Sequence, residues 1–150
     1  MIIASKKFEE FEYYKRLSTN LSNIYYTKVN DRFGCSEDMN YVVSDEILLK
    51  AAEITVELDP QPDLVCPTMR NSMQIEYDLD DNSYLEFEIF EDIIKCMKVP
   101  KELEGRDYNN ASFEDIPFSG CVGIIKQIVK NFILTYTDEH PECPKYFEED

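Results

Sequence analysis

Met73-Gln74-Ile75-Glu76-Tyr77-Asp78-Leu79-Asp80-Asp81-Asn82-Ser83-Tyr84-Leu85-Glu86-Phe87-Glu88-Ile89 decides the fold. Met73, Ile75, Tyr77 and Leu79 alternate with Gln74, Glu76 and Asp78. Leu85, Phe87 and Ile89 alternate with Tyr84, Glu86 and Glu88. A period of two sends successive side chains to opposite faces of a strand. The turn cluster Asp80-Asp81-Asn82-Ser83 joins the two runs into a hairpin with one apolar and one acidic face.

Both apolar sets are odd-numbered, so paired residues must sum to an even number to share a face. A three-residue loop, Asp80-Asp81-Asn82, meets this condition, with Asn82 taking the left-handed conformation. It pairs Tyr77 with Leu85, Ile75 with Phe87 and Met73 with Ile89. On the other face Glu76 falls opposite Glu86 and Gln74 opposite Glu88, with Asp78 and Tyr84 as diagonal neighbours. Like charges directly opposed cost a sheet up to about 1 kcal/mol, so stability alone does not select this pattern.

Outward from the hairpin, Ile93 to Val99 reads as a returning strand, and Leu64 to Cys66 as a short edge strand ended by Pro67. Ser44 caps a helix whose Asp45 and Glu46 suit its positive end. Ile47, Ala51, Ile54 and Leu58 form its buried stripe, and Asp59-Pro60-Gln61-Pro62 stops it. Phe8, Phe11, Tyr14, Leu17, Leu21 and Ile24 recur every three or four residues, predicting a first helix, capped by Ser5, that packs on the core. The adjacent pairs Tyr13-Tyr14 and Tyr25-Tyr26 cannot both face inward, so some tyrosines are expected at the surface. A third helix, capped by Ser119, sets Val122, Ile125, Val129, Phe132 and Tyr136 against a polar side of Lys126, Gln127, Lys130 and Asn131. It is expected to be the central packing element. Residues 27 to 43 and 100 to 118 read as irregular, and 137 to 150 as a loosely ordered tail. The expectation is one α+β domain over residues 1–150, a three- to four-stranded antiparallel meander packed against about three helices.

Composition narrows the function. The formal net charge is −16 and the isoelectric point about 4.3. It is unevenly placed. Residues 1–30 hold five basic and three acidic residues, a net of +2, whereas residues 31–94 hold three basic and seventeen acidic, a net of −14. Such a surface repels a phosphate backbone, so direct binding to DNA, RNA or anionic lipid is not expected. No apolar run is long enough to span a bilayer, and no signal peptide is apparent, so a cytoplasmic location is expected. Five cysteines, odd in number and without a Cys-x-x-Cys, read as reduced thiols.

No catalytic pattern emerges. The chain has one histidine, His140, which removes most nucleophile schemes that need a positioned imidazole. His140-x-x-Cys143 has half the spacing of a zinc site and no second half. Asp78-x-Asp80-x-Asn82 opens like a calcium loop, but Ser83 stands at the glycine position and Ile89 at the closing glutamate. Four glycines leave no phosphate-cradling loop. No metal or cofactor is expected, and the protein is read as a non-enzyme.

The stretch from Ser44 to about Phe90 resembles a group of short, largely uncharacterised bacterial and phage proteins. In that group a helix is followed by Pro-x-x-x-Pro-Thr, a small-residue turn, Ile-x-x-Glu-Trp and Leu-Glu-x-Glu. The corresponding pieces here are Ser44 to Leu58, Pro62-Asp63-Leu64-Val65-Cys66-Pro67-Thr68, Met73 to Tyr77, and Leu85-Glu86-Phe87-Glu88-Ile89. Tyr77 stands where the group has Trp, and Arg70-Asn71-Ser72 replaces its glycines. The resemblance implies a small accessory protein of bacterial or mobile-element origin and supplies no catalytic residues.

The hairpin glutamates have two available fates. Lys95 or Lys98 of the next strand neutralises them, leaving a solvated face, or the face docks a basic partner. The second leads to an expected function: an acidic inhibitor that occupies the surface of a nucleic-acid-handling protein, with a phage anti-CRISPR as its concrete form. The expected contacts are Glu76, Asp78, Glu86 and Glu88, the loop residues Asp80 and Asp81, and an exposed Tyr84 as anchor. An antitoxin or immunity protein facing one cognate toxin would share this chemistry. A small hydrolase working through paired carboxylates would instead enclose two of them in a pocket. Homodimerisation through the hairpin edge is a competing use of the same surface.

Overall fold

The computed structural model describes residues 2–32, 43–102 and 104–139. Helix α1 (Ile2–Arg32) and helix α2 (Asp45–Val56) precede four strands, β1 (Leu64–Pro67), β2 (Met73–Asp78), β3 (Tyr84–Ile89) and β4 (Ile93–Val99). A small ribbon of β5 (Lys101–Glu102) and β6 (Gly105–Arg106), a 3-10 turn (Tyr108–Asn110), strand β7 (Ser112–Pro117) and helix α3 (Cys121–Glu139) follow. The main sheet is antiparallel in the order β1-β2-β3-β4-β7. The fold is α+β, a strand meander against helices.

The central hairpin has the register its alternation demands: Met73 opposite Ile89, Ile75 opposite Phe87 and Tyr77 opposite Leu85. The loop is Asp80-Asp81-Asn82, closed by a hydrogen bond from the Leu79 N–H to the Ser83 carbonyl, and Asn82 sits at φ +73°. Asp78 and Tyr84 are directly opposed rather than diagonal, since they share the sum of the other pairs. Val65, Met73, Ile75, Tyr77, Leu85, Phe87, Ile89, Ile94 and Ile116 are buried on the helix-facing side. Burying one such side chain is worth about 1.5–3 kcal/mol.

Ser44 caps α2, its Oγ accepting the Ile47 N–H at 3.4 Å. Ile47, Ala51, Ile54 and Leu58 are all buried, as their spacing requires. At the other end the Gln61 amide donates to the carbonyls of Thr55 (2.6 Å) and Leu58 (2.7 Å), satisfying acceptors a helix end would otherwise leave open. Helix α2 is the central packing element, touching α1, α3, β2 and β3, whereas α3 packs on α2 and β7. The longer apolar side of α3 misled on this point: Ile128 and Ile133 are buried but Ile124 is 40% exposed.

Other elements differ from expectation. Helix α3 begins at Cys121, after Gly120 at φ +75°, so Ser119 lies outside it. It runs on through Glu139, so residues 137–139 are helical rather than part of a loose tail, and the rest of that tail lies outside the described residues. Likewise residues 27–32, expected to be irregular, continue α1, and 33–42 lie outside the described residues. The segment 100–118 is not all connection, because Ser112 to Pro117 adds a fifth strand with Ile116 in the core. Helix α1 starts at Ile2, not after Ser5.

The largest departure is α1's orientation. Phe8, Phe11 and Tyr14 are exposed, and of the expected stripe only Ile24 is buried, with Leu17 and Leu21 half-buried. The helix instead turns polar residues to the body. Asn23 Nδ2 donates to the Val65 carbonyl at 2.9 Å, and Asn20 Nδ2 to the Pro62 carbonyl at 3.1 Å and to Gln61 Oε1 at 3.3 Å. Arg16 pairs with Asp63 at 2.9 Å. These donors occupy the outer rim of β1, which would otherwise be an open sheet edge. Periodicity identified the helix but not the side that packs, because here the partner is a strand edge with carbonyls to satisfy.

Candidate protein-binding face of the sheet

Away from the helices, each strand pairing sets one row of side chains across the sheet. Leu64, Glu76, Glu86, Met97 and Phe113 form the middle row. Cys66, Gln74, Glu88, Lys95 and Asp115 form the next, and Asp78, Tyr84 and Val99 the one on the loop side.

Glu76 and Glu86 are partly exposed and directly opposed. Neither has an ion pair among the described residues. The Gln74 amide donates to both, at 2.8 Å to Glu86, and the Tyr84 hydroxyl donates to Glu86 at 2.8 Å. Burial pushes the Glu86 carboxyl above its ordinary range; the Tyr84 hydroxyl pulls it down, and the facing Glu76 charge pushes it up again. A neutral amide bridging two carboxylates relieves crowding without cancelling charge.

Glu88 is treated differently. It is buried, and Arg70 grips it with two hydrogen bonds, Nε to Oε2 at 2.7 Å and a terminal nitrogen to Oε1 at 2.6 Å. Ser72 Oγ adds a third at 2.6 Å. Burial works to raise this carboxyl, but Arg70 and Ser72 outweigh it and hold it below its ordinary value. The expected neutralising role of Lys95 or Lys98 therefore falls mainly to Arg70, from the β1–β2 loop. Lys95 does face Glu88 and adds a weaker attraction. Lys98 stands opposite Leu85, in register with the other face.

Asp78 pairs with Arg106, whose guanidinium lies 4.5 Å from the centre of the Tyr84 ring. Tyr84 is only 7% exposed, so it does not serve as a surface anchor. Its row neighbour Val99 is buried as well, and the Arg106 guanidinium covers the ring. Asp81 is turned in, accepting from Ser83 N (2.9 Å) and Oγ (2.5 Å), with Lys101 at 3.8 Å. Asp80 is exposed at the loop tip. Of the seven expected contact residues, Glu76, Glu86 and Asp80 have no cation partner among the described residues, while Asp78, Asp81, Tyr84 and Glu88 are engaged.

The residue that sequence reading missed is Phe113, 75% exposed at the end of the middle row. Its signal was the alternation of Phe113 with Glu114 in a stretch whose Asn and Pro content concealed a strand. Cys66, Cys96 and Cys121 are free thiols, all raised by burial, Cys96 to about 12, so none is poised as a thiolate. Among the described residues no group of three or more His, Cys, Asp or Glu is arranged to hold a metal ion. No described helix is long and apolar enough to cross a membrane. Comparison with protein-family models, with curated proteins and with solved structures finds no match.

Proposed function

We propose that this chain is a non-enzymatic inhibitor that docks on a basic, nucleic-acid-handling protein through the middle row of the open sheet face. Glu76 and Glu86 carry the charge that meets the partner, with Asp80 at the loop tip. Leu64 and Phe113 flank them as apolar anchors, since aromatic side chains carry much of the energy at interfaces.

One observation supports this reading above the others: among the described residues the molecule matches Glu88 and Asp78 with its own arginines but leaves the opposed Glu76 and Glu86 bridged only by Gln74 and Tyr84. Two carboxylates without a cation among the described residues, side by side on the central hairpin, can occupy a groove built to hold phosphates, and they steer a cationic partner from a distance. The resemblance of residues 44–90 to bacterial and phage accessory proteins favours an anti-defence role in a bacterial cytosol, with an anti-CRISPR as the concrete form and a toxin as the alternative basic partner.

Capture from bacterial lysate tests this. The wild-type chain retains a basic protein at low salt, releases it at high salt, and displaces nucleic acid from it. Glu76→Lys with Glu86→Lys abolishes capture while the melting curve stays cooperative, and Phe113→Ala weakens it. Unchanged capture by the double charge reversal overturns the proposal.

A further inference from the structure

The exposed side of α1 has a pattern of its own. Phe11, Tyr14, Ser18, Leu21 and Tyr25 are spaced three and four residues apart, which is the seam of a helix that pairs with another helix. Phe11 is 62% exposed, Tyr14 64% and Tyr25 64%. Phe8 and Tyr26 are exposed on one flank of the seam. An open concavity runs along this side between Tyr14 and Tyr26. The helix anchors to the body by the opposite side, through Arg16, Asn20 and Asn23.

The seam reads nearly the same in both directions about Ser18. Laid antiparallel on itself and centred there, it sets Phe11 level with Tyr25 and Ser18 with Ser18, and brings Tyr14 within one residue's rise of Leu21. The small central residue lets the backbones approach. At 100° per residue, Phe8 and Tyr26 share one flank and Glu10 and Lys28 the other. In the antiparallel arrangement like flanks meet, so Phe8 faces Tyr26 and Glu10 faces Lys28 of the second copy. Neither match arises in a parallel pair.

Area and charge agree. Aromatic side chains bury about 150–250 Å² each, so five of them left roughly three-fifths exposed hold back about 450–750 Å² per copy. Leu17 and Leu21 bring this near the about 800 Å² per partner of a standard interface. Residues 1–30 carry a net +2, whereas residues 31–94 carry −14. Two such copies meet with least repulsion along this helix.

We infer that α1 is a homodimerisation helix whose exposed aromatic seam packs antiparallel on the same seam of a second copy. This surface is separate from the Glu76–Glu86 row, and its salt response is opposite: screening weakens attraction to a basic partner but relieves repulsion between two copies of charge −16.

Sedimentation equilibrium on the full chain tests the inference. The expected result is a dimer that tightens as salt rises. Phe11→Glu with Tyr25→Glu raises the dissociation constant at least a hundredfold without loss of helical signal, because both side chains are solvent-facing in the monomer. Ser18→Cys forms a disulfide-linked dimer under oxidation well above the background of the parent's own thiols. A parent that stays monomeric up to about 0.5 mM overturns the inference, as does a dimer that survives the double glutamate variant. In the monomeric case the seam belongs to a different occupant, such as a segment of the same chain.

Discussion

Glu76 and Glu86 face each other across the central hairpin, and the Gln74 amide, not a lysine or arginine, joins them. The pair therefore retains its negative charge. It also keeps a local strain, because like charges opposed in a sheet are unfavourable.

Glu86→Gln is expected to stabilise the fold by about 0.5 kcal/mol at neutral pH. The sign follows from the carboxyl being raised in the folded state. A raised acid favours folding below its unfolded-state pKa, and that advantage is lost as pH rises through its folded value. Urea denaturation at several pH values should show the gain of the variant shrinking in acid. A gain that is constant with pH would falsify the electrostatic origin.

Glu88 has the opposite sign. Its carboxyl is held low by Arg70 and Ser72, so its contribution is present above the unfolded-state pKa and lost as pH falls through the folded value. Glu88→Ala should cost about 1.5–3 kcal/mol at pH 7, the scale of hydrogen bonds to charged groups. Denaturation midpoints of variant and wild type should converge in strong acid.

The α1 anchor can be released by its amides. Asn20 is 2% exposed and ties the helix to Gln61 and Pro62. Asn20→Ala leaves buried acceptors unpaired and should cost about 1–3 kcal/mol. Hydrogen exchange should report earlier opening of β1 and of the last turn of α2, whose carbonyls the Gln61 amide caps. Protection unchanged in both places would show that α1 does not hold the strand edge.

Thr55 offers a gain. It is buried, and its hydroxyl has no hydrogen-bond partner among the described residues. Thr55→Val keeps the shape and removes the unpaired oxygen, which should stabilise by about 1 kcal/mol. A thermal melt that moves down instead would point to a hydroxyl contact the side chain makes in solution.

The hairpin loop separates backbone from side-chain effects. Asn82 holds φ +73°. Asn82→Gly should be close to neutral, and Asn82→Val should cost about 1–2 kcal/mol, the penalty of the left-handed conformation for an ordinary residue. Equal stability of the two variants would mean that the loop relaxes to another turn.

Much of this architecture was legible beforehand because its signals are local. Strict alternation from Met73 to Ile89 set strand identity, faces and register together, since a one-residue slip would expose every apolar side chain. Ser44, Asp45, Glu46 and the Pro60-Pro62 pair bounded α2 for the same kind of reason. Strand β7 was obscured by its flanks: Asn109, Asn110 and Pro117 speak of turns, and only Ile116 reports burial. The Glu76–Glu86 opposition was also readable, because register alone creates it.

What chain order could not carry was the fate of each charge. Arg70 is eighteen residues from Glu88 and Arg106 twenty-eight from Asp78, and only the placement of the β1–β2 loop and the β5–β6 ribbon beside the sheet brings them together. The same holds for α1, whose three-to-four spacing is satisfied equally by a helix packed on a core and by one anchored through its asparagines. Periodicity depends on neighbours along the chain. Which surface a stripe meets, and which carboxylate finds a cation, depends on groups far apart in sequence and is decided only when the whole molecule competes for its partners.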